Sequence, residues 1–430
     1  MAVARPLVAV LAAAFALAGA RAAHAAGTTV VLRPTSMGSQ FAYTSAEAPP
    51  YVGTRAVVHY VTSGPAAPPL TDGNVNGVPD YVETVAAAAD KALLYYATRG
   101  FKAPRPDSAG PDPKPDIYIA ALPQGLYGYT LTQPHAEGGS FVLLSPGLDV
   151  ATVKPRGSVG LTVAHELFHV VQFSYVVSDK VPLWAAEGSA SAMSTRVFPQ
   201  VEDLTLTDYL DVWLKQPWLP LYDERQGCLH CYGGAWWWLY LDRLSPKILP
   251  RYLANLGADD SRGVSTRVGI TELDRALRST RAGSLFDVFG RFSLDLYRRG
   301  LPVGDAYSLR TSTRPRSTKI KSVFGLSTHY VPIRVPTRTR GIVVSVPYGG
   351  GPKLSVTLLL GGPRGRAVKA KPYRPGRGFI VSAVFRKPVE RQRIVLVVTS
   401  GSADGTAYQV QSVAVGPNGH LPGWVAFESR

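Results

Sequence analysis

His165 and His169 stand four residues apart in HELFH, and at about 100° per residue that spacing places both imidazoles on one face of a helix, a turn apart. Two imidazoles so placed can share one zinc ion. Between them lies Glu166, a carboxylate able to act as general base on a water at the open position of a catalytic zinc. The flanking Val163, Ala164, Leu167, Phe168, Val170, Val171 and Phe173 wrap most of the helix in apolar side chains and predict burial. Buried imidazoles and a buried carboxylate need partners, and a metal supplies them.

A catalytic zinc site takes three protein ligands, and HELFH provides two. The candidate third is Glu187, in LWAAEGSASAM, where Trp184 to Met193 reads as the start of a second apolar helix. A carboxylate inside an apolar run is costly unless ligated or paired. Taken alone, Glu187 reads equally well as a first-turn glutamate facing the helix dipole. Beside HELFH, the ligand reading is preferred.

HELFH followed by WxxEGxA resembles the gluzincin zinc peptidases, in which HExxH on one helix is completed by a glutamate on the next. Over about residues 55 to 260 the chain is more specifically similar to secreted bacterial proteins predicted to be metalloproteases, which share an HEFFHVVQF-like helix and a DGNVNGVPDYVE-like loop. The resemblance implies a zincin-like catalytic domain, His165, His169 and Glu187 as zinc ligands, and Glu166 as base. Thermolysin-like members carry an Asp four residues after the ligand glutamate to orient the first histidine. Here that position is Ser191, which leaves the partner of His165 open. Gluzincins also pair extended substrate with an edge strand upstream of the active helix, and GGSFV at residues 138 to 142 resembles that strand.

The loop Asp72 to Glu83 fits the calcium pattern D-x-[DN]-x-[DN]-G-x5-E at every specified position. Asp72, Asn74, Asn76, Asp80 and Glu83 would offer side-chain oxygens and Val78 its carbonyl, while Gly77 permits the turn. A calcium-free turn rich in Asn, Asp and Gly is the plainer alternative. A helix from Tyr81 to Thr98 should follow and stop at Gly100.

The elements that must position these groups make an α+β chain. Strands are expected at 54–62, 116–122 and 139–145, and His59 on the first reads as structural. After Glu187, helices are expected at 203–215, 233–244, 246–256, 271–277 and 284–299, forming a helical lobe. Within it, HCYGGAWWWLYL holds His230, Tyr232 and Tyr240. Hydrolysis builds an oxyanion that a phenol or imidazole N–H can stabilise, and related zinc peptidases carry a tyrosine in such a helix. Tyr232 is the first candidate and His230 the second, with packing beside the tryptophans as the alternative.

From residue 318 the texture becomes six short β-patterned runs, predicting a β-sandwich. The expected organisation is a signal peptide at 1–25, an extended arm at 26–50, a metallopeptidase-like domain at 51–318, a basic β-sandwich at 319–418 and a tail at 419–430. MAVARPLVAVLAAAFALAGARAAHA has the charged start, apolar run and small-x-small end of a secretory signal, so the protein is expected outside the cell. No later stretch is apolar enough to span a membrane. Export makes Cys228 and Cys231 an expected local disulfide.

The chain carries a net charge of +16, and residues 301–430 alone hold 20 Lys and Arg against 4 Asp and Glu. The basic excess therefore belongs to the β-region, which suits an anionic cell-wall polymer or polysaccharide; a solvated basic face with no dedicated ligand is the equal alternative. No nucleic-acid motif accompanies it. The expected function is a secreted zinc-dependent metallopeptidase with a structural calcium, acting on protein or peptide. A non-catalytic surface or matrix protein that keeps the fold and binds polyanions through its basic β-sandwich is the rival reading.

Overall fold

The structure is a computed structural model. It describes residues 32–415 apart from 37, 107–111, 133–138, 151–157, 177–180, 200–214, 226–227, 259–264, 299–306, 309–315, 318–320 and brief stretches of the β-region. The expected signal peptide, the C-terminal tail and nearly all of the helix expected at 203–215 lie outside the described residues. The fold is mixed, with helices and several β-sheets. The described residues fall into two compact units, those within Met1–Val212 and Tyr222–Thr280, and those within Trp213–Leu221 and Arg281–Arg430.

The first unit opens with β1 (Tyr51–Val52) and β2 (Val57–His59), then the helix α1 (Asp80–Thr98). Asp80 and Glu83 sit in the first turn of α1, where carboxylates suit the positive end of the helix dipole. Gly100, at φ +81°, follows its end as expected. Strands β3 (Asp116–Ile119), β4 (Gly128–Thr132) and β5 (Ser140–Leu144) complete a sheet of order β1-β2-β3-β5-β4. β2, β3 and β5 run parallel, and β4 closes the sheet antiparallel to β5 with Thr130 opposite Val142.

One side of this sheet carries Tyr118, Ala120, Leu131, Phe141 and Leu143, covered by Phe41 and Tyr43 of the N-terminal arm. Arg33 pairs with buried Asp116, and His59 bridges Glu47 and Asp116, so the arm is tied down at both ends. Helices α2 (Val159–Phe173) and α3 (Leu183–Val197) follow, then α4 (Leu229–Gly233), α5 (Ala235–Leu244), α6 (Ile248–Ala258) and α7 (Thr266–Ser279). Tyr96 of α1 donates its hydroxyl to the carbonyl of Ala164 on α2 at 2.7 Å, and Tyr96, Phe101 and Phe168 meet edge to face.

The second unit begins with α8 (Leu285–Arg298), a helix that periodicity alone groups with the helical lobe. Its strands are β6 (Tyr307–Ser308), β7 (Arg316–Ser317), β8 (Lys321–Val323), β9 (Ser327–Arg334), β10 (Thr339–Pro347), β11 (Leu354–Leu360), β12 (Arg366–Lys369), β13 (Lys371–Pro372), β14 (Gly378–Val389), β15 (Ile394–Ser400), β16 (Thr406–Tyr408) and β17 (Gln411–Val415). Two five-stranded sheets, β13-β14-β10-β17-β7 and β12-β11-β15-β9-β6, enclose a core that includes Ile342, Val344, Val356, Leu358, Leu396 and Val398. The opposite face of β15, Val395 and Val397, packs with Leu359 on Tyr297 of α8. A strand covered on both faces has no polar side to show, which is why IVLVVTS reads as a continuous apolar run.

Candidate metal centre

The side chain of Ser158 caps α2 by accepting the Leu161 N–H at 3.3 Å, and the helix that follows is buried nearly all round. α3 starts at Leu183, so Glu187 is its fifth residue and lies beyond the first turn. The dipole reading of Glu187 therefore loses its footing, because that interaction fades within the first turn. Glu187 is instead buried against the two histidines.

His165 Nε2 lies 3.2 Å from Glu187 Oε2, His169 Nε2 lies 3.7 Å from the same oxygen, and the two Nε2 atoms are 3.1 Å apart. Ligand atoms about 2.1 Å from a tetrahedral zinc are spaced by about 3.4 Å, so this triangle matches one face of that tetrahedron. Among the described residues this is the group of three His, Cys, Asp or Glu donors drawn together closely enough to hold a metal ion. His165 is the most open of the three, at 16% side-chain exposure, which leaves a way in from one side.

The hydrogen bonds around His169 decide which nitrogen faces the cluster. Gln172, one turn on, spends its amide N–H groups on the Ala186 carbonyl at 3.1 Å and the Ser189 hydroxyl oxygen at 2.9 Å. Its Oε1 must then accept, so His169 Nδ1–H donates to it at 2.8 Å and Nε2 is the nitrogen turned towards Glu187 and His165. Loss of the Nε2 proton would free the lone pair that a metal ion takes from an imidazole oriented in this way. Ser191 Oγ lies 3.5 Å from His165 Nδ1, so the serine stands beside the ring as a long contact at best.

Electrostatics bind the group internally. Burial opposes charge on His169, but the Glu187 carboxylate outweighs it and pushes the imidazole up to about 9. Burial likewise raises Glu187, and the two histidines override it and hold the carboxyl far below its usual range.

The remaining candidates are placed unequally. Tyr232 of α4 lies along the His165 ring, with centroids 6.0 Å apart and planes at 22°. His230 is buried in α4. Tyr240 stacks on Trp237. Cys228 and Cys231 form a disulfide across the start of α4, immediately before Tyr232. Gly188 lets this region close on α3: a Cβ there would sit 3.0 Å from the Cys231 carbonyl oxygen and from the Trp238 indole.

β5, the strand likened to a substrate-pairing edge, is interior, held between β3 and β4. The edge beside the metal group is β4. Thr130 Oγ1 lies 2.7 Å from Glu166 Oε2, and burial first, then the charges of Glu166 and Glu187, push the Tyr129 phenol up to about 12. Gly128, Tyr129, Thr130 and Gln172 stand at this site with no motif to mark them in the sequence. Their only signal is the alternation in GYTLT and the position of Gln172 one turn after His169.

In the loop before α1, Asp72 accepts the N–H groups of Asn76 at 3.2 Å and Gly77 at 2.8 Å, and Gly77 has φ +87°. Asp80 accepts the Gly73 N–H, while Asn74 and Asn76 converge on Glu83 through their amide nitrogens at 3.0 and 2.7 Å. Asn74, Asn76 and Glu83 thus share one interior, while Asn74 Oδ1 accepts the Asn76 N–H at 3.1 Å. Val78 donates its N–H to Asn76 Oδ1 at 2.8 Å.

No family profile and no curated protein matches the chain. Among solved structures it aligns with the pre-peptidase C-terminal domain of a collagenase from Bacillus anthracis, over 26% of this chain and 99% of that one, at 13% identity and a TM-score of 0.19. It also aligns with PliG, a periplasmic inhibitor of g-type lysozyme from Aeromonas hydrophila, over 25% and 95%, at 12% identity and a TM-score of 0.16. BtGH115A, a 4-O-methyl-α-glucuronidase with specificity for decorated arabinogalactans, aligns over 60% and 42%, at 12% identity and a TM-score of 0.17. Scores this low support no argument about fold or function. No helix among the described residues is long and apolar enough to cross a membrane.

Proposed function

We propose that the protein is a zinc-dependent metallopeptidase of gluzincin type. The observation that carries the reading is the triangle of His165 Nε2, His169 Nε2 and Glu187 Oε2, with edges of 3.1 to 3.7 Å, next to a buried glutamate. Zinc held there would polarise a scissile carbonyl and make a water easier to deprotonate. Glu166 would take the proton from the attacking water and pass it to the leaving amine as the C–N bond breaks. Tyr232, alongside His165, would donate its hydroxyl to the developing oxyanion, ahead of buried His230.

β4, the last strand of its sheet among the described residues, would pair with an extended peptide. The loop Asp72 to Glu83 would hold a structural calcium through its side-chain oxygens and the Val78 carbonyl. The disulfide suits an exported protein, since oxidising compartments preserve such bonds. Arg334, Arg338, Arg340 and Arg366 of the second unit are exposed, which favours an accessory role in holding the protein on an anionic polymer. The test is digestion of a mixed peptide library. The reading expects new cleavage products that vanish on zinc chelation and return on zinc addition, and fails if the zinc-loaded protein leaves the library intact.

A further inference from the structure

Glu166 is gripped by a strand distant in sequence. Thr130 Oγ1 reaches Glu166 Oε2 at 2.7 Å and the Glu166 backbone carbonyl at 2.9 Å. A hydroxyl carries one proton, and the charged, closer carboxylate oxygen is the stronger acceptor. Two residues earlier on the same face of β4, Gly128 meets the other side of the glutamate. A Cβ built there would stand 2.6 Å from Glu166 Cγ, 2.9 Å from Oε1 and 2.9 Å from Thr162 Cγ2. No side chain larger than hydrogen fits while Glu166 keeps its position. The register of β4 against β5, Gly128 opposite Leu144 through Thr132 opposite Ser140, fixes how far both residues project.

We infer that Thr130 and Gly128 form a clamp that positions Glu166, with Thr130 engaging Oε2 and so leaving Oε1 as the oxygen that exchanges the proton. The inference rests on the proposed hydrolysis for its meaning. The contact that carries it is independent of that reaction. Thr130 is a positioning residue, acting through Glu166 rather than on substrate. Because β4 is also the sheet edge, the clamp and the peptide-pairing surface belong to one five-residue strand. A misplaced base is costly to turnover, and a displacement on the order of 1 Å can cost 100-fold.

The experiment compares Thr130→Val, which keeps the shape and removes the hydroxyl, with Thr130→Ser, which restores it. In metal-free protein with 13C-labelled glutamate carboxyls, the Glu166 resonance is identified by its loss in Glu166→Gln. It should move in Thr130→Val and return towards its native position in Thr130→Ser. In zinc-loaded protein, Thr130→Val should lower kcat by roughly 10- to 100-fold with KM and zinc content unchanged, and Thr130→Ser should recover most of it. A Glu166 signal unmoved in Thr130→Val, or a serine variant as impaired as the valine one, overturns the clamp. If the native protein hydrolyses no peptide, the proposed function fails, and the carboxyl resonance still decides the clamp.

Discussion

Replacing Gly188 with alanine sets two known effects against each other. Alanine in a helix interior is worth about 0.5 to 1 kcal/mol over glycine, so a roomy site would be stabilised. The site is not roomy: the new Cβ would lie 3.0 Å from the Cys231 carbonyl oxygen and 3.0 Å from Trp238 Cδ1 and Nε1. Neither neighbour can yield cheaply. The carbonyl belongs to a turn closed by the disulfide, and Trp238 is 1% exposed, with Trp184 at 5.8 Å and Tyr252 at 5.4 Å between ring centroids. Overpacking of this kind costs about 1 to 3 kcal/mol, which leaves a net loss of about 1 kcal/mol. For a unit of this size, Tm should fall by about 2 to 4 °C in calorimetry. Gly147→Ala, whose Cβ would find only Ser145 Oγ at 4.0 Å, should leave Tm nearly unchanged. A Gly188→Ala protein as stable as the native one, or more so, would refute the argument that this glycine exists for close approach of α3 to α4.

Gln172→Leu removes the acceptor that fixes the His169 tautomer, so zinc affinity measured by chelator competition should drop about 10- to 100-fold; an unchanged affinity would show that Gln172 does not orient the ring. Burial lowers the pKa of His59, but its hydrogen bonds to the Asp116 and Glu47 carboxylates and their charges outweigh that and raise it in the fold. A raised pKa contributes stability that is fully present below the unfolded value of about 6.5 and is lost as pH climbs through the folded value. Tm should therefore decline as pH rises above about 6.5, with His169 contributing in the same direction, and His59→Gln should make the decline shallower; an equal decline in the variant would leave His59 no part in it. Calcium should raise Tm, by about 2.7 kcal/mol of stabilisation at a hundredfold excess over its dissociation constant, and leave Asp72→Ala/Glu83→Ala unmoved. Native protein melting at one temperature with calcium or with a calcium chelator would reduce the loop to a turn.

The cluster of His165, His169 and Glu187 was legible because its two parts are written locally. A four-residue spacing puts His165 and His169 on one face wherever the helix packs, and an apolar run around Glu187 demands a partner for it. The ambiguity over Glu187 turned on where α3 begins, a boundary that sequence places only to within a residue or two. The grip of β4 on Glu166 was not legible, since Thr130 and Glu166 are 36 residues apart and nothing in GYTLT marks which strand forms the edge. Periodicity predicted α8 as a helix with a buried face. It could not say that the face packs on β15 rather than on other helices, because amphipathicity records burial and not the partner. The six β-patterned runs all became strands, their apolar alternation being set by the two-sheet core.

The central claim is that His165, His169 and Glu187 hold zinc for a reaction in which Glu166 moves the proton. Zinc content and peptide hydrolysis measured together on the native protein and on Glu166→Gln test it most directly. The account predicts about one tightly held zinc per chain in both, with hydrolysis in the native protein and none above background in the variant. A Glu166→Gln protein that retains zinc and cleaves peptide at the native rate would contradict it.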